Sequence, residues 1–274
     1  MRTFDQIVNL AIADNQEFAT VKTVVEKEIL HFDILEEMSN AGYLKKLTFI
    51  GGTCLRDCYN SPRMSEDLDF SGGFDFSKDM LKDFTERLKI SFLQKYGFPI
   101  EVSEPQKESG NTETWKIKIT TRPEQRNLPA QRINIDICLL PSYDRKSIWA
   151  NDYYGLDKHI LLYAESLQEI FTDKIIAFAR RPNKVKFRDL WDINHLAQKR
   201  IVLNKELLLR KLQDRNISET DFWQQYKKRI SETTTLQKDF LFEMRRFLLP
   251  SYFTNTFVSE EWWLGLINIL EAEV

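Results

Sequence analysis

Residues 51–70 read GGTCLRDCYNSPRMSEDLDF, and two features of that stretch bear on chemistry. Gly51-Gly52 opens a helix-forming run that reaches Tyr59, and Asp67-x-Asp69 follows it. Backbone N–H groups at a glycine turn and helix start point outward, which suits an anion such as phosphate. Asp67 and Asp69 flank Leu68 in an extended run ending at Phe70. The two-residue period of a strand sends both carboxylates to one side and Leu68 to the other. Two carboxylates on one face are hard oxygen ligands of the kind magnesium takes. Taken singly, these features also describe a plain loop and a solvated surface. In this order and spacing they read as a phosphate cradle beside a metal site.

The elements that must position them come next. Leu47 to Ile50 is a short β-branched and aromatic run that suits a buried strand, and Thr53 is placed to cap the helix after the glycines. In Arg132-Ile-Asn-Ile-Asp-Ile-Cys138, Ile133, Ile135 and Ile137 line one face while Asn134 and Asp136 share the other. Asp136 is therefore either a third carboxylate beside the pair or a polar residue facing water on a half-exposed strand. Residues 99–102 and 114–121 are further strand candidates, the latter with Trp115, Ile117 and Ile119 alternating. Arg122 and Arg126 precede the Asp136 strand and read as loop charges rather than phosphate ligands.

A second cluster lies farther on. The helix from Leu167 to Phe178 carries an apolar stripe through 167, 170, 171 and 178, and Lys174 sits inside it. Such a lysine either snorkels past its neighbours to water or meets an anion. The next helix begins Lys186-Phe-Arg188-Asp189-Leu-Trp-Asp192-Ile. Asp189 falls in line with Ile193 and Leu196 and is the expected inward carboxylate, while Arg188 and Asp192 form an i,i+4 pair.

Gly51-Gly52-Thr53-x-Leu55-Arg56, then Arg63-x-Ser65-Glu66-Asp67-Leu68-Asp69-Phe70, resembles the nucleotidyltransferase-fold toxins of the AbiEii abortive-infection family, within the DNA polymerase β-like superfamily. The resemblance also takes in the lysine helix and the Arg-Asp-x-x-Asp segment. It implies a magnesium-dependent nucleotidyltransferase acting on a nucleoside triphosphate, with RNA, and tRNA first, as acceptor, and a cognate antitoxin as partner. By the same resemblance Asp67, Asp69, Lys174 and Asp189 would be catalytic, and Gly51, Gly52, Thr53, Arg56, Ser65 and Asp192 would hold nucleotide. Asp136 would join Asp67 and Asp69 around the metal. Cys54, Asp57 and Cys58 beside the glycine turn depart from the family's common form.

The expected fold is α+β: a polymerase β-like core with a small mixed sheet over residues 1–145, and a helical lobe over 146–274 that completes the cleft. Helices are expected near 18–38, 77–95, 167–181, 187–199, 204–214, 219–230, 235–248 and 257–271. A chain of 274 residues that is 42% apolar can bury a substantial core. There is no membrane-length apolar run, and three cysteines suit a reducing compartment, so the cytoplasm is the expected location. Between Lys174 and Arg229 stand 15 lysines and arginines against 6 acids, an excess of nine in a chain of net charge −2. That excess reads either as a nucleic-acid surface or as the solvated faces of amphipathic helices. His31, His159 and His195 lack a partner motif and read as structural or surface residues, and Trp262-Trp263 reads as core of the helical lobe.

Overall fold

The structure is a computed structural model that describes residues 2–106, 110–125, 127–182 and 184–273. Arg126 lies outside them. The chain forms two compact units, Met1–Glu165 and Ser166–Val274.

The first unit is built on a seven-stranded mixed sheet. Its strands are β1 (Thr48–Ile50), β2 (Leu68–Ser71), β3 (Ile100–Ser103), β4 (Thr112–Ile119), β5 (Gln131–Cys138), β6 (Arg145–Trp149) and β7 (Leu161–Glu165), in the order β3-β4-β5-β2-β1-β7-β6. β2 pairs parallel to β5 and β1 parallel to β7, with the remaining neighbours antiparallel. The period-two pattern fixes the faces. Trp115, Ile117 and Ile119 of β4 and Ile133, Ile135 and Ile137 of β5 are buried, as are Leu68 and Phe70 of β2. The intervening residues face the other side and are half-buried or exposed in β4 and β5.

Four helices belong to this unit: α1 (Phe4–Asp14), α2 (Lys22–Asn40), α3 (Gly51–Tyr59) and α4 (Phe84–Tyr96). Thr3 and Gln6 close a capping box on α1. α2 is buried nearly all round from Glu28 to Leu35, so its polar side chains must find partners inside the protein. The sheet extends past residue 145 because β6 and β7 join it. β6 is an exposed edge strand, and its sequence RKSIW shows no apolar alternation to announce it.

The second unit is helical throughout: α5 (Leu167–Arg180), α6 (Phe187–Gln198), α7 (Lys205–Asp214), α8 (Glu219–Thr233), α9 (Gln237–Met244) and α10 (Glu260–Ala272). Ser166, Asn204, Ser218 and Ser259 each cap a helix by accepting a backbone N–H. Trp263 is buried against Phe240 and donates its indole N–H to the Thr234 carbonyl at 2.9 Å, which makes it core, as its sequence position suggests.

Candidate active site

The Gly-Gly turn and the acidic strand meet in space. Gly51 has φ +75°, and a Cβ added there would lie 2.8 Å from Asp69 Oδ2, so the backbone that starts α3 abuts the Asp69 carboxylate. Only glycine combines that φ with so close an approach. A Cβ on Gly52 would run into the guanidinium of Arg63, which is buried. The N-cap residue of α3 is Ile50, which offers no side-chain hydrogen bond to the first turn. Thr53 is not the cap because the helix begins two residues earlier. Its hydroxyl, fully buried, instead bonds the Asp67 carbonyl and lies 2.7 Å from Ser65 Oγ.

Asp69 and Asp136 are paired in register on the parallel strands β2 and β5, so their side chains share one face. Thr114, opposite Asp136 on β4, donates to Asp136 Oδ1 at 2.6 Å. Asp67 Oδ1 accepts the backbone N–H of Asn134 at 3.1 Å. All three carboxylates are half-buried. Among the described residues no three His, Cys, Asp or Glu are gathered as a ready-made metal cluster. The expected three-carboxylate set is thus not preassembled, and Thr114 and the Asn134 amide hold two of its members. The donor chemistry nevertheless fits magnesium, which is ordinarily held by one or two carboxylates while substrate phosphates and water complete its shell.

Two residues of the motif turn inward. Arg56 is buried, with Nε 3.3 Å from Glu28 Oε2, Nη1 donating to the Ser61 carbonyl at 3.2 Å, and its guanidinium 3.8 Å above the Tyr153 ring. Ser65 is buried and donates its backbone N–H to Glu28 Oε1 at 2.9 Å. Both support the loop rather than face a ligand. Tyr154 donates its hydroxyl to the same Glu28. His31 Nε2–H donates to the Glu66 carbonyl at 3.0 Å, and Lys27 Nζ reaches Glu66 Oε1 at 2.9 Å. Three residues of α2 therefore fix the segment that delivers Asp67. Sequence reading missed this role, although a glutamate and a histidine inside an apolar helix were its signal.

The His31 bond leaves Nδ1 buried and without a partner. Burial pushes this imidazole down to about 4, against the opposing pull of Glu28. Asp57 is also buried, with Oδ2 unpartnered, and burial followed by the charge of Glu28 holds its carboxyl well above the usual range while Arg56 pulls it down. Arg122 is occupied by Glu26 at 2.7 Å and Asp5 at 2.6 Å, a structural loop charge as expected.

In the second unit, Lys174 neither snorkels alone nor points at open solvent. Its ammonium lies 2.8 Å from Asp189 Oδ1 and 2.8 Å from Asp192 Oδ2, and Arg181 Nε lies 2.6 Å from Asp189 Oδ2. Both aspartates are buried, so Asp192 is as inward as Asp189. Burial would raise the Asp189 carboxyl, but Lys174 and Arg181 together carry it below the usual carboxylate range. Beside this cluster, buried Lys211 bridges Glu169 and Asp173 at 2.7 Å each, and Arg215 reaches Asp173 at 3.2 Å. Four of the fifteen basic residues, Lys174, Arg181, Lys211 and Arg215, are thereby held by acids inside the unit.

A family model described as the AbiEii nucleotidyl transferase toxin of a type IV toxin–antitoxin system matches residues 33–254. The chain belongs to that family. It is accordingly a nucleotidyltransferase, and Asp67-x-Asp69, α3 and the Lys174 cluster all lie within the matched span. Among solved structures, JHP933 from Helicobacter pylori aligns at TM-score 0.52 and 18% identity, covering 91% of each chain. A second H. pylori structure, described provisionally as a nucleotidyltransferase, aligns at TM-score 0.52 and 19% identity, covering 91% of this chain and 94% of its own. These likenesses establish a shared fold. No curated protein matches significantly. No helix among the described residues is long and apolar enough to cross a membrane.

Proposed function

We propose that this AbiEii-family protein moves a nucleoside monophosphate from a nucleoside triphosphate to an RNA acceptor, tRNA being the first candidate, in a magnesium-dependent reaction. It would act in the cytoplasm as a toxin opposed by a cognate antitoxin. The observation that carries the reading is the Asp69 carboxylate lying against Gly51 at the start of α3, with Asp136 beside it in register. An anion site and a cation site are then neighbours, as a metal-bound triphosphate requires.

The N–H groups after Gly51 and Gly52 bind the outer phosphates. Asp67 and Asp69 would hold the magnesium, which would supply Lewis-acid stabilisation of the developing phosphate charge. The acceptor hydroxyl oxygen bonds the α-phosphorus, the bond to the β-phosphate oxygen breaks, pyrophosphate leaves and the hydroxyl proton passes to solvent. Lys174 is the family's functional lysine by resemblance, and Asp189 and Asp192 orient it. The test is incubation with α-labelled nucleotides, magnesium and total bacterial RNA. Label on RNA is the expected result. Label on a small molecule or on protein would replace the acceptor, and no turnover with any nucleotide would overturn the reading.

A further inference from the structure

The face of the sheet that carries Asp69 and Asp136 continues across β5 and β4, and its charge changes sign along the way. Register places Thr114 beside Asp136, Lys116 beside Asn134, and Lys118 beside Arg132. All point to the face opposite the buried Ile133, Ile135 and Ile137. Lys116 and Arg132 are exposed. Among the described residues neither makes an ion pair or hydrogen bond, whereas Lys118 is matched by Glu101 at 2.8 Å. Same-face residues on a strand are about 6.8 Å apart and neighbouring strands about 4.8 Å apart. Lys116 is then about 8 Å from the Asp136 position, and Arg132 about 13 Å along β5 from it.

Two unpaired cations on a flat polar face are not needed for folding, since exposed charges of this kind contribute little to stability. Their spacing from the carboxylates is that of groups meeting successive phosphates behind a reacting end. We propose that this face of β4 and β5 is the track for the backbone of the acceptor RNA, with Lys116 and Arg132 binding phosphates and the reacting 3′ end lying at Asp69 and Asp136. The proposal rests on the transfer reading above and specifies where its acceptor binds. Charge complementarity argues for a phosphodiester strand. In the basic stretch of the second unit Lys174, Arg181, Lys211 and Arg215 are held by internal acids, and its exposed Lys227 and Lys228 are the competing surface that the test includes.

The test measures anisotropy of a labelled single-stranded RNA oligonucleotide over a salt series, with magnesium and without nucleoside triphosphate. It compares wild type, Lys116→Gln with Arg132→Gln, and Lys227→Gln with Lys228→Gln on the exposed side of α8. Melting temperatures confirm folding. The strand variant should bind more weakly, and its log–log salt slope should be shallower by about 1.4, two phosphates at about 0.7 each. The KM for nucleoside triphosphate should not move, and the α8 variant should bind as wild type does. An unchanged slope in the strand variant, or a loss confined to the α8 variant, would overturn the track. Wild-type protein that transfers nucleotide but binds no RNA would overturn the track while leaving nucleotidyl transfer standing. RNA binding with the expected slope change but no transfer to any acceptor would support the track and overturn the transfer reading.

Discussion

The two units handle their aspartates in opposite ways. In the first unit Asp67, Asp69 and Asp136 are half-buried, Asp69 and Asp136 share a face of the sheet, and an amide and a hydroxyl donate to Asp67 Oδ1 and Asp136 Oδ1. In the helical unit Asp189 and Asp192 are buried and clamped by Lys174, with Arg181 on Asp189. Neutral donors leave negative charge for a cation to meet, whereas an ammonium and a guanidinium cancel it. The same residue type thus accepts from neutral donors in one place and is held by cations in the other. The comparison sharpens what the family lysine can do, since any part it plays in transfer is set within an ion cluster that also holds the helices together.

The largest stability effect should come from breaking that cluster. Lys174→Met removes the cation between two buried carboxylates and should cost about 4 kcal/mol by denaturant unfolding. Lys174→Arg keeps the charge and should fold, yet transfer about 10²-fold more slowly if the amine is placed for phosphate. A stable Lys174→Met protein would break the comparison at its structural end.

Next comes pH. The unfolded chain protonates His31 near 6.5 and the folded protein only near 4. Stability is therefore full above about pH 6.5 and falls by roughly 3 kcal/mol as the pH drops to 4, because the unfolded state binds the proton first. Denaturant melts from pH 4 to 7 should show this slope, and His31→Gln should flatten it. Asp189, whose carboxyl is lowered, begins to lose its contribution in the ordinary carboxylate range, as the unfolded chain takes up the proton, and goes on losing it at lower pH, so it touches only the acid end of that window.

Glu28→Gln should cost about 2 kcal/mol, since Glu28 accepts from Arg56, Ser65 and Tyr154 at once. It should also raise the magnesium concentration needed for half-maximal transfer, because the Asp67 segment loosens. The smallest effect is Asp57→Asn. The Asp57 carboxyl is held above its usual value, so its contribution is present at low pH and lost as pH rises through the folded value. The amide should stabilise the protein at pH 8 and leave it unchanged at pH 4, read by denaturant melts at the two pH values.

Much of the sheet was legible because β4 and β5 alternate plainly, Trp115-Ile117-Ile119 and Ile133-Ile135-Ile137 marking the buried face. The same period left Asp136 either beside the acidic pair or facing water, and the family resemblance alone placed it with them; in the structure it is Asp69 that Asp136 pairs with in register. β6 was not legible, since an exposed edge strand has no buried face to write into its sequence, and β7 beside it is an inner strand of only five residues with Leu162 and Ala164 as its buried alternation. Arg56 and Ser65 belong to the motif, but their inward direction depends on Glu28, which local sequence cannot bring beside them. The Lys174 cluster was half legible. Helical spacing placed Lys174 on α5 and Asp189 on α6, but their ion pair is a contact between helices that spacing within either one does not contain.

The most direct measurement follows nucleotide transfer and melting temperature together in Asp69→Asn. Loss of transfer by at least about 10²-fold, with the melting temperature unchanged or slightly raised as repulsion from neighbouring Asp136 is relieved, is the predicted result. Undiminished transfer in that variant would contradict the assignment of the sheet carboxylates as the reacting site.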